Sequence, residues 1–450
     1  MAGLFPRWTL KTEGVILPDE RLPTGQTVVL GIQHVFAMFG ATVLAPIIMG
    51  FDPNVSLLFS GIATLLFFVV VGGRIPSYLG SSFAFIGPVI VATGYAGAGP
   101  NTNIGVALGG IIAAGALYTL IGVAVMVAGH RWIERLMPPV VTGAVVAAIG
   151  LVLARVAVSS ASGLQLTAPE AAGDDFFRWI AVATIVAVGV VAVYAPGTLR
   201  RLPVLLGAVA GYLLYLVCAN GLGLGKPIDF SGVAAAPWFG LPSFQAPVFS
   251  AGAIALIAPV ALILVAENLG HVKAIGAMTG RNLDPHLGRA FVGDGIATML
   301  SGAGGGTGMT TYAENMGVMA VTRVYSTLLF VFAALFAIGL GLSPKFGALI
   351  QTIPAPVLGG IAVVVFGLIA ATAGRIWVEN RVDFSQPRNL ITVAVALVLG
   401  AGNFKLTIGG FTLDGIGTAT FGAILLYHLL RGRDGDAVVT SADGAVSGRP

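Results

Sequence analysis

The chain has 450 residues, of which 56% are apolar and only 9% are charged, and its formal net charge is +4. A soluble domain carries about 25% charged residues, so this chain has too little charge to cover a water-facing surface, which excludes a soluble globular protein. Its Lys and Arg residues are scattered between apolar runs and never form a stripe, which argues against nucleic acid as a partner and leaves the lipid bilayer.

The segment before Thr27 is polar, with Arg7, Lys11, Asp19, Glu20 and Arg21, and lacks the apolar core and cleavage site of a signal peptide. The first span is therefore expected to act as its own insertion signal. Mostly apolar runs of about 18 to 25 residues then recur as far as Leu430. Fourteen spans are predicted, at about 26–48, 54–72, 83–98, 104–129, 138–157, 177–195, 202–222, 250–274, 288–304, 312–321, 325–343, 355–373, 388–402 and 411–430. The third and the tenth are too short to cross as continuous helices. The 64 glycines and 24 prolines fit tight helix contacts and broken helices. With both termini cytoplasmic, about 18 of the 23 Lys and Arg residues fall on the cytoplasmic side, among them Arg131, Arg135, Arg200, Arg201, Arg375, Arg381 and Arg388. Only Arg155, Arg178, Lys226, Lys345 and Lys405 fall outside. The single cysteine, Cys218, permits no intramolecular disulfide and reads as packing. Residues 433–450 read as a disordered tail.

The two halves resemble each other. Gly61-Ile62-Ala63-Thr64-Leu65-Leu66 recurs as Gly295-Ile296-Ala297-Thr298-Met299-Leu300, Ser81-Ser82-Phe83-Ala84 as Thr310-Thr311-Tyr312-Ala313, and Pro139-Val140-Val141 as Pro356-Val357-Leu358. The order is kept and the offsets drift slowly, from 234 to 229 to 217 residues. A duplication of seven spans has an odd count, so the second copy is inverted. The expected fold is thus an all-α membrane protein of fourteen segments in a seven-plus-seven inverted repeat. Short antiparallel β-segments in spans 3 and 10 should pair inside the protein, because unpaired backbone is costly in lipid. Two half-helices would follow, their N-termini offering N–H donors to a ligand.

Ionisable residues inside spans are costly and mark candidate functional positions. Glu267 and His271 stand four residues apart on one helix face, Glu314 opens the tenth span, and His34 and Asp294 lie in the first and ninth. Two carboxylates can accept from ring N–H groups, a helix start can donate to ring carbonyls, and Phe83 and Tyr312 offer faces to a flat ring. That inventory suits a uracil-like lactam. It suits an anion badly, because no Arg or Lys lies at either break. The competing roles are structural: Glu314 capping its own half-helix, Glu267 as a buried hydrogen-bonded acid, His271 satisfying a backbone group, Phe83 as packing. For His34 and Asp294, hydrogen bonding between helices is the leading reading.

Glu314-Asn315-Met316-Gly317-Val318-Met319-Ala320-Val321-Thr322-Arg323 matches the ten-residue signature of the nucleobase-ascorbate transporter family. Gln33-His34, Phe36-Ala37-Met38-Phe39-Gly40-Ala41-Thr42, Tyr78-Leu79-Gly80-Ser81-Ser82-Phe83-Ala84-Phe85 and Ala266-Glu267 with His271 resemble its bacterial uracil permease branch. Gly306-Thr307-Gly308-Met309-Thr310-Thr311-Tyr312-Ala313-Glu314-Asn315 looks most like the permeases of pyrimidine utilisation, and the similarity runs from about residue 15 to 432. The resemblance implies a core domain of spans 1–4 and 8–11 (24–130 and 248–344) and a gate domain of spans 5–7 and 12–14 (131–224 and 345–432). Substrate would bind between them. It further implies a bacterial inner-membrane homodimer that imports uracil by proton symport. Glu267 and Glu314 would hydrogen-bond uracil, Phe83 and Tyr312 flank it, and Ala313 and Glu314 offer backbone N–H groups. Ala41 would complete the substrate-binding set, His271 would support Glu267 in proton coupling, and His34, Asp294 and Asn315 would play supporting parts. Two positions depart from the best-known uracil symporter pattern: Ala313 replaces a glycine, and Phe366 replaces a tyrosine of the twelfth span.

The alternatives are a symporter for xanthine or another purine and, more remotely, a same-fold anion transporter. An enzyme is not expected. The zincin spacing is absent, the Gly-rich stretch Gly302 to Gly308 lacks the Gly-Lys-Ser/Thr ending of a phosphate loop, and no catalytic residue, metal or cofactor is expected. With no ATP-binding motif, energy would come from an ion gradient.

Overall fold

A computed structural model describes residues 5–95, 100–163, 174–196, 199–408 and 411–430; the expected disordered tail lies outside the described residues. Strands β1 (Thr9–Leu10) and β2 (Glu20–Arg21) pair in parallel ahead of helices α1 (Thr24–Met49) and α2 (Pro53–Val70). The bend between the helices is local chemistry. Gly50 ends α1 at a φ of 74°, and Asp52 accepts the Asn54 N–H at 2.8 Å with Pro53 as the first helical residue. Strand β3 (Leu79–Ser81) leads through a 3-10 turn (Phe83–Phe85), capped by Ser82, into α3 (Ile86–Thr93). Helices α4 (Ile104–Ala128), α5 (Arg131–Leu136), α6 (Pro139–Ala161), α7 (Asp175–Tyr194) and α8 (Pro203–Leu216) follow, and α8 widens into a π-turn (Val217–Gly221) that holds the half-buried Cys218.

The second half begins with α9 (Ser231–Ala235), α10 (Ala251–Ile257), α11 (Val260–Thr279) and α12 (Leu287–Ala303). Strand β4 (Met309–Thr311) then runs into α13 (Ala313–Thr322). Helices α14 (Leu328–Gly341) and α15 (Pro344–Gln351) meet at a 79° bend. Helix α16 (Ala355–Glu379), α17 (Pro387–Ala401), the hairpin of β5 (Leu406–Ile408) and β6 (Phe411–Leu413), and α18 (Gly415–Leu429) complete the described chain.

Each of the fourteen stretches expected from hydropathy contains helix. Among the described residues, eight helical segments are long and apolar enough to cross a bilayer, or nine with the bent α14–α15 pair, so the protein is a multi-pass, mostly helical membrane protein. Two of the differences from the expected bounds have a plain local cause. The eighth stretch is interrupted before α11 at Pro259, which lacks an N–H for the helical ladder. Residues 411–413 are strand, and α18 starts at Gly415 because Asp414 caps it by accepting the Gly417 N–H at 2.8 Å.

The helices pack in two sets. Helix α4 lies along α12, α2 against α12 and α14, and α1 against α14. Separately, α6 lies along α16 with α17 and α18 against it, and α7 packs on α8 and α16. The α4–α12 approach depends on glycine: a Cβ on Gly115 or on Gly295 would sit 2.7 Å from the other's carbonyl oxygen.

Strands β3 and β4 are antiparallel, with Leu79 opposite Thr311 and Ser81 opposite Met309. The repeated Gly-Ile-Ala-Thr motif serves both strands alike. Thr64 Oγ1 accepts the Leu79 N–H at 2.9 Å, and Thr298 Oγ1 accepts the Met309 N–H at 3.1 Å, so each threonine pairs a buried donor that the two-stranded ladder leaves over.

The segment ahead of α1 is stitched to distant loops. Ile16 donates to the Arg323 carbonyl at 3.0 Å and accepts from the Tyr325 N–H at 2.8 Å, Trp8 Nε1 donates to Thr327 Oγ1 at 3.0 Å, and Asp19 pairs with Arg281 at 2.6 Å. Arg323, the last residue of the ten-residue signature, ends α13 in the left-handed region at a φ of 55°.

Candidate functional site

The site is organised by the β3–β4 crossing, with α3 and α13 leaving it through short turns and α11 packed against β4, α13 and the Phe83–Phe85 turn. Tyr312 fixes the crossing. Its hydroxyl donates to the Ser81 carbonyl at 2.9 Å and accepts from Thr42 Oγ1 of α1 at 3.1 Å, while its ring occupies the space that a side chain at Gly80 would need. Ala41, beside Thr42, is buried, whereas Ala313 at the start of α13 is exposed.

Glu267 on α11 and Glu314 in the first turn of α13 are both partly buried, on helices that pack against each other. The hydroxyls of Ser82 and Thr310 lie beside the Glu267 carboxyl, and the buried Thr310 hydroxyl closes no hydrogen bond of its own. Glu314 lies against its own backbone N–H, the position of a helix-start acid. One turn beyond Glu267, His271 Nδ1 is 2.8 Å from Thr311 Oγ1. Phe83 meets Phe366 of α16 edge-to-face, with centroids 5.3 Å apart and planes at 84°, so this aromatic pair bridges the two helix sets.

The other candidates lie in buried networks. Both Nδ1 and the carbonyl of His34 accept from Asn315 Nδ2, at 2.9 and 3.0 Å, which ties α1 to α13, and the ring packs edge-on against Phe330. Because Nδ1 accepts, the hydrogen of the neutral ring is on Nε2. Asp294 on α12 accepts from Asn268 Nδ2 through Oδ2, with the Tyr118 hydroxyl at 3.4 Å, while Oδ1 is buried without a partner. Glu267, Glu314, Tyr312, His271 and Phe83 are thus gathered around the crossing, and His34, Asn315 and Asp294 hold the surrounding helices together. Thr42, Tyr118, Asn268, Thr310 and Thr311 belong to the same polar constellation but were not among the site residues expected from sequence. Tyr118 carried one signal, a phenol in an otherwise apolar run, and Asn268 another, an amide beside Glu267. Among the described residues no group of three or more His, Cys, Asp or Glu could hold a metal ion.

The profile of the Permease family (Xan_ur_permease) matches residues 25–409. The protein named pyrimidine permease RutG in Escherichia coli (strain K12) is 64% identical over 430 residues, covering 95% of both chains. The uracil permease of Bacillus caldolyticus is 41% identical over 92% of this chain and 94% of its own, and that of Escherichia coli (strain K12) is 40% identical over 96% and 99%. Among solved structures, the transmembrane domain of the cyanobacterial bicarbonate transporter BicA superposes with a TM-score of 0.64 at 17% identity, over 88% of this chain and 97% of that one. The murine anion transporter Slc26a9 in its inward-facing state gives 0.64 at 12% identity, over 90% and 68%. Those two likenesses describe a shared fold. With its signature at Glu314 to Arg323, its profile match and its relatives at 40 to 64% identity, the chain belongs to the permease family and is a transporter, not an enzyme.

Proposed function

We propose that the protein imports uracil or a closely related pyrimidine base together with a proton. The convergence of Glu267 and Glu314 at the β3–β4 crossing is the observation that carries this reading. A lactam ring presents N–H donors and carbonyl acceptors side by side. The carboxyl groups accept from the former, and the N–H groups at the start of α13, at Ala313 and Glu314, donate to the latter. Phe83 and Tyr312 flank the ring, and Ala41 closes the side toward α1. Relatives named as pyrimidine and uracil permeases support the choice of base.

In this reading α1–α4 with α10–α14 form a core that moves against a gate of α6–α8 with α16–α18, exposing the site to each side in turn. The separate packing of the two sets supports it, as does their contact through Phe83 and Phe366. Fourteen segments in a seven-plus-seven inverted repeat form the architecture. The matched duties of Thr64 and Thr298 and the antiparallel β3–β4 pair support that arrangement. Glu267 carries the coupled proton and His271 assists it. The protein sits in a bacterial inner membrane with both termini cytoplasmic, as a homodimer through the gate.

The test is uptake of labelled uracil into proteoliposomes under an inward proton gradient, with competition by thymine, xanthine, bicarbonate and sulfate. Saturable uptake blocked by pyrimidines is expected. Competition by xanthine alone would make it a purine carrier, and inhibition by the anions alone would return it to the anion transporters that share its fold.

A further inference from the structure

Behind the crossing runs a buried chain of hydrogen bonds that the transport reading leaves without a role. Asn268, fully buried on α11, commits both amide hydrogens: Nδ2 donates to the Tyr118 hydroxyl at 2.9 Å and to Asp294 Oδ2. An amide turned the other way would set Oδ1 against the Asp294 oxygen, acceptor against acceptor. Oδ1 therefore faces Thr311, whose hydroxyl donates to it at 3.4 Å. A hydroxyl has one hydrogen, so Thr311 Oγ1 is left as the acceptor for His271 Nδ1, 2.8 Å away. Nδ1 then carries the hydrogen, and in the neutral ring Nε2 is a bare acceptor.

We propose that Asp294, acting through Asn268 and Thr311, sets the tautomer of His271, so that Nε2 is an acceptor while Asp294 Oδ2 is one. Asp294, Asn268 and Thr311 are positioning residues in this scheme, and the chain links α12 through α11 and β4 back to α11. A proton placed on Asp294 Oδ2 reverses every step. The carboxyl donates to Asn268 Oδ1, the amide turns and donates to Thr311, Thr311 donates to Nδ1, and the imidazole hydrogen moves to Nε2. The titratable groups that face Asp294 are Tyr118 from α4 and Glu267 from α11. The inference deepens the proposed function, because it gives His271 two hydrogen-bonding states at the transport site.

The tautomer is read by 15N NMR of histidine-labelled full-length protein in lipid nanodiscs at neutral pH, with His271 assigned by difference against His271→Gln. Wild type should show a protonated Nδ1 and a bare Nε2. Asn268→Leu should turn this single form into a mixture, Thr311→Ser should preserve it, and the pH profile of uracil uptake should move in Asn268→Leu and not in Thr311→Ser. A protonated Nε2 in wild type, which needs no variant to fold, overturns the proposal, and so does an unmixed Nδ1–H form in folded Asn268→Leu. The tautomer is read without transport, so a failure of Glu267 as the proton site would leave this result standing, and the two failures are distinguishable.

Discussion

The Phe83–Phe366 pair is the aromatic contact between the two helix sets at the site, so removing either ring should shift the balance between arrangements with the sets together and apart. Both rings are buried, 8% and 1% exposed, and their centroids stand 5.3 Å apart with the planes at 84°. Such an edge-to-face pair is worth about 0.5 to 1.5 kcal/mol beyond its buried area. That corresponds to about 2- to 12-fold in an equilibrium constant. In a double-mutant cycle of Phe83→Leu and Phe366→Leu, read as uracil affinity in detergent and in nanodiscs, each single change also loses packing of its own. The contact is lost only once, so the two effects should fall short of additivity by about 0.5 to 1.5 kcal/mol. Additivity within about 0.3 kcal/mol would mean that the rings do not act on each other and that Phe83 is simply part of the core. A coupling seen in thermal stability but absent from affinity would place the contact in the fold and outside the transport cycle.

Glu314→Gln should lower uracil affinity by about tenfold to a hundredfold, the worth of a buried hydrogen bond to a charged acceptor at about 1.5 to 3 kcal/mol; unchanged binding to folded protein would remove Glu314 from the site. Glu267→Gln, a fixed mimic of the protonated acid, should retain uracil exchange in proteoliposomes and lose accumulation driven by a proton gradient, and accumulation that persists would move the proton site to another group. Thr64→Val and Thr298→Val should each strand a buried backbone N–H, at about 1 to 3 kcal/mol, and lower the thermal midpoint by similar amounts. The exposed Thr372, whose hydroxyl bonds only within its own helix, is the control, and equal midpoints for Thr372→Val and Thr298→Val would show that the repeated threonines carry no special load.

Much of the fold was legible because lipid imposes so few solutions. An apolar run must be helix, and a charge inside it must have a reason. Glu267 and Glu314 stood out on that ground, and one of the three repeated motifs, Ser81-Ser82 with Thr310-Thr311, falls at the paired strands β3 and β4. What escaped had two causes: local features that hydropathy does not register, and contacts between residues far apart in sequence. The apolar residues from Phe411 to Leu413 read as the start of a helix until their pairing with Leu406 to Ile408 was known. Pro259 sits in a run whose hydropathy continues unbroken, so the interruption between α10 and α11 was hidden by composition. Asn268 and Tyr118 are 150 positions apart, and no local pattern joins them to Asp294. Phe366, noted only as a tyrosine replaced, meets Phe83 because α16 happens to cross there.

The stitching of the first residues to loops near the end of the core also has a consequence for how the protein is made. Trp8 and its partner Thr327 are 319 positions apart, and Ile16 waits for Arg323 and Tyr325. At synthesis rates of about 5 to 20 residues per second, the N-terminal segment is exposed for roughly 15 to 60 s before its partners leave the ribosome. During that interval Trp8 can lie against Phe68 of α2, with ring centroids 5.8 Å apart in the finished fold, but Ile16 and Asp19 wait for Arg323, Tyr325 and Arg281. The segment ahead of α1 is thus fully secured only late, when the loop after α13 has been made.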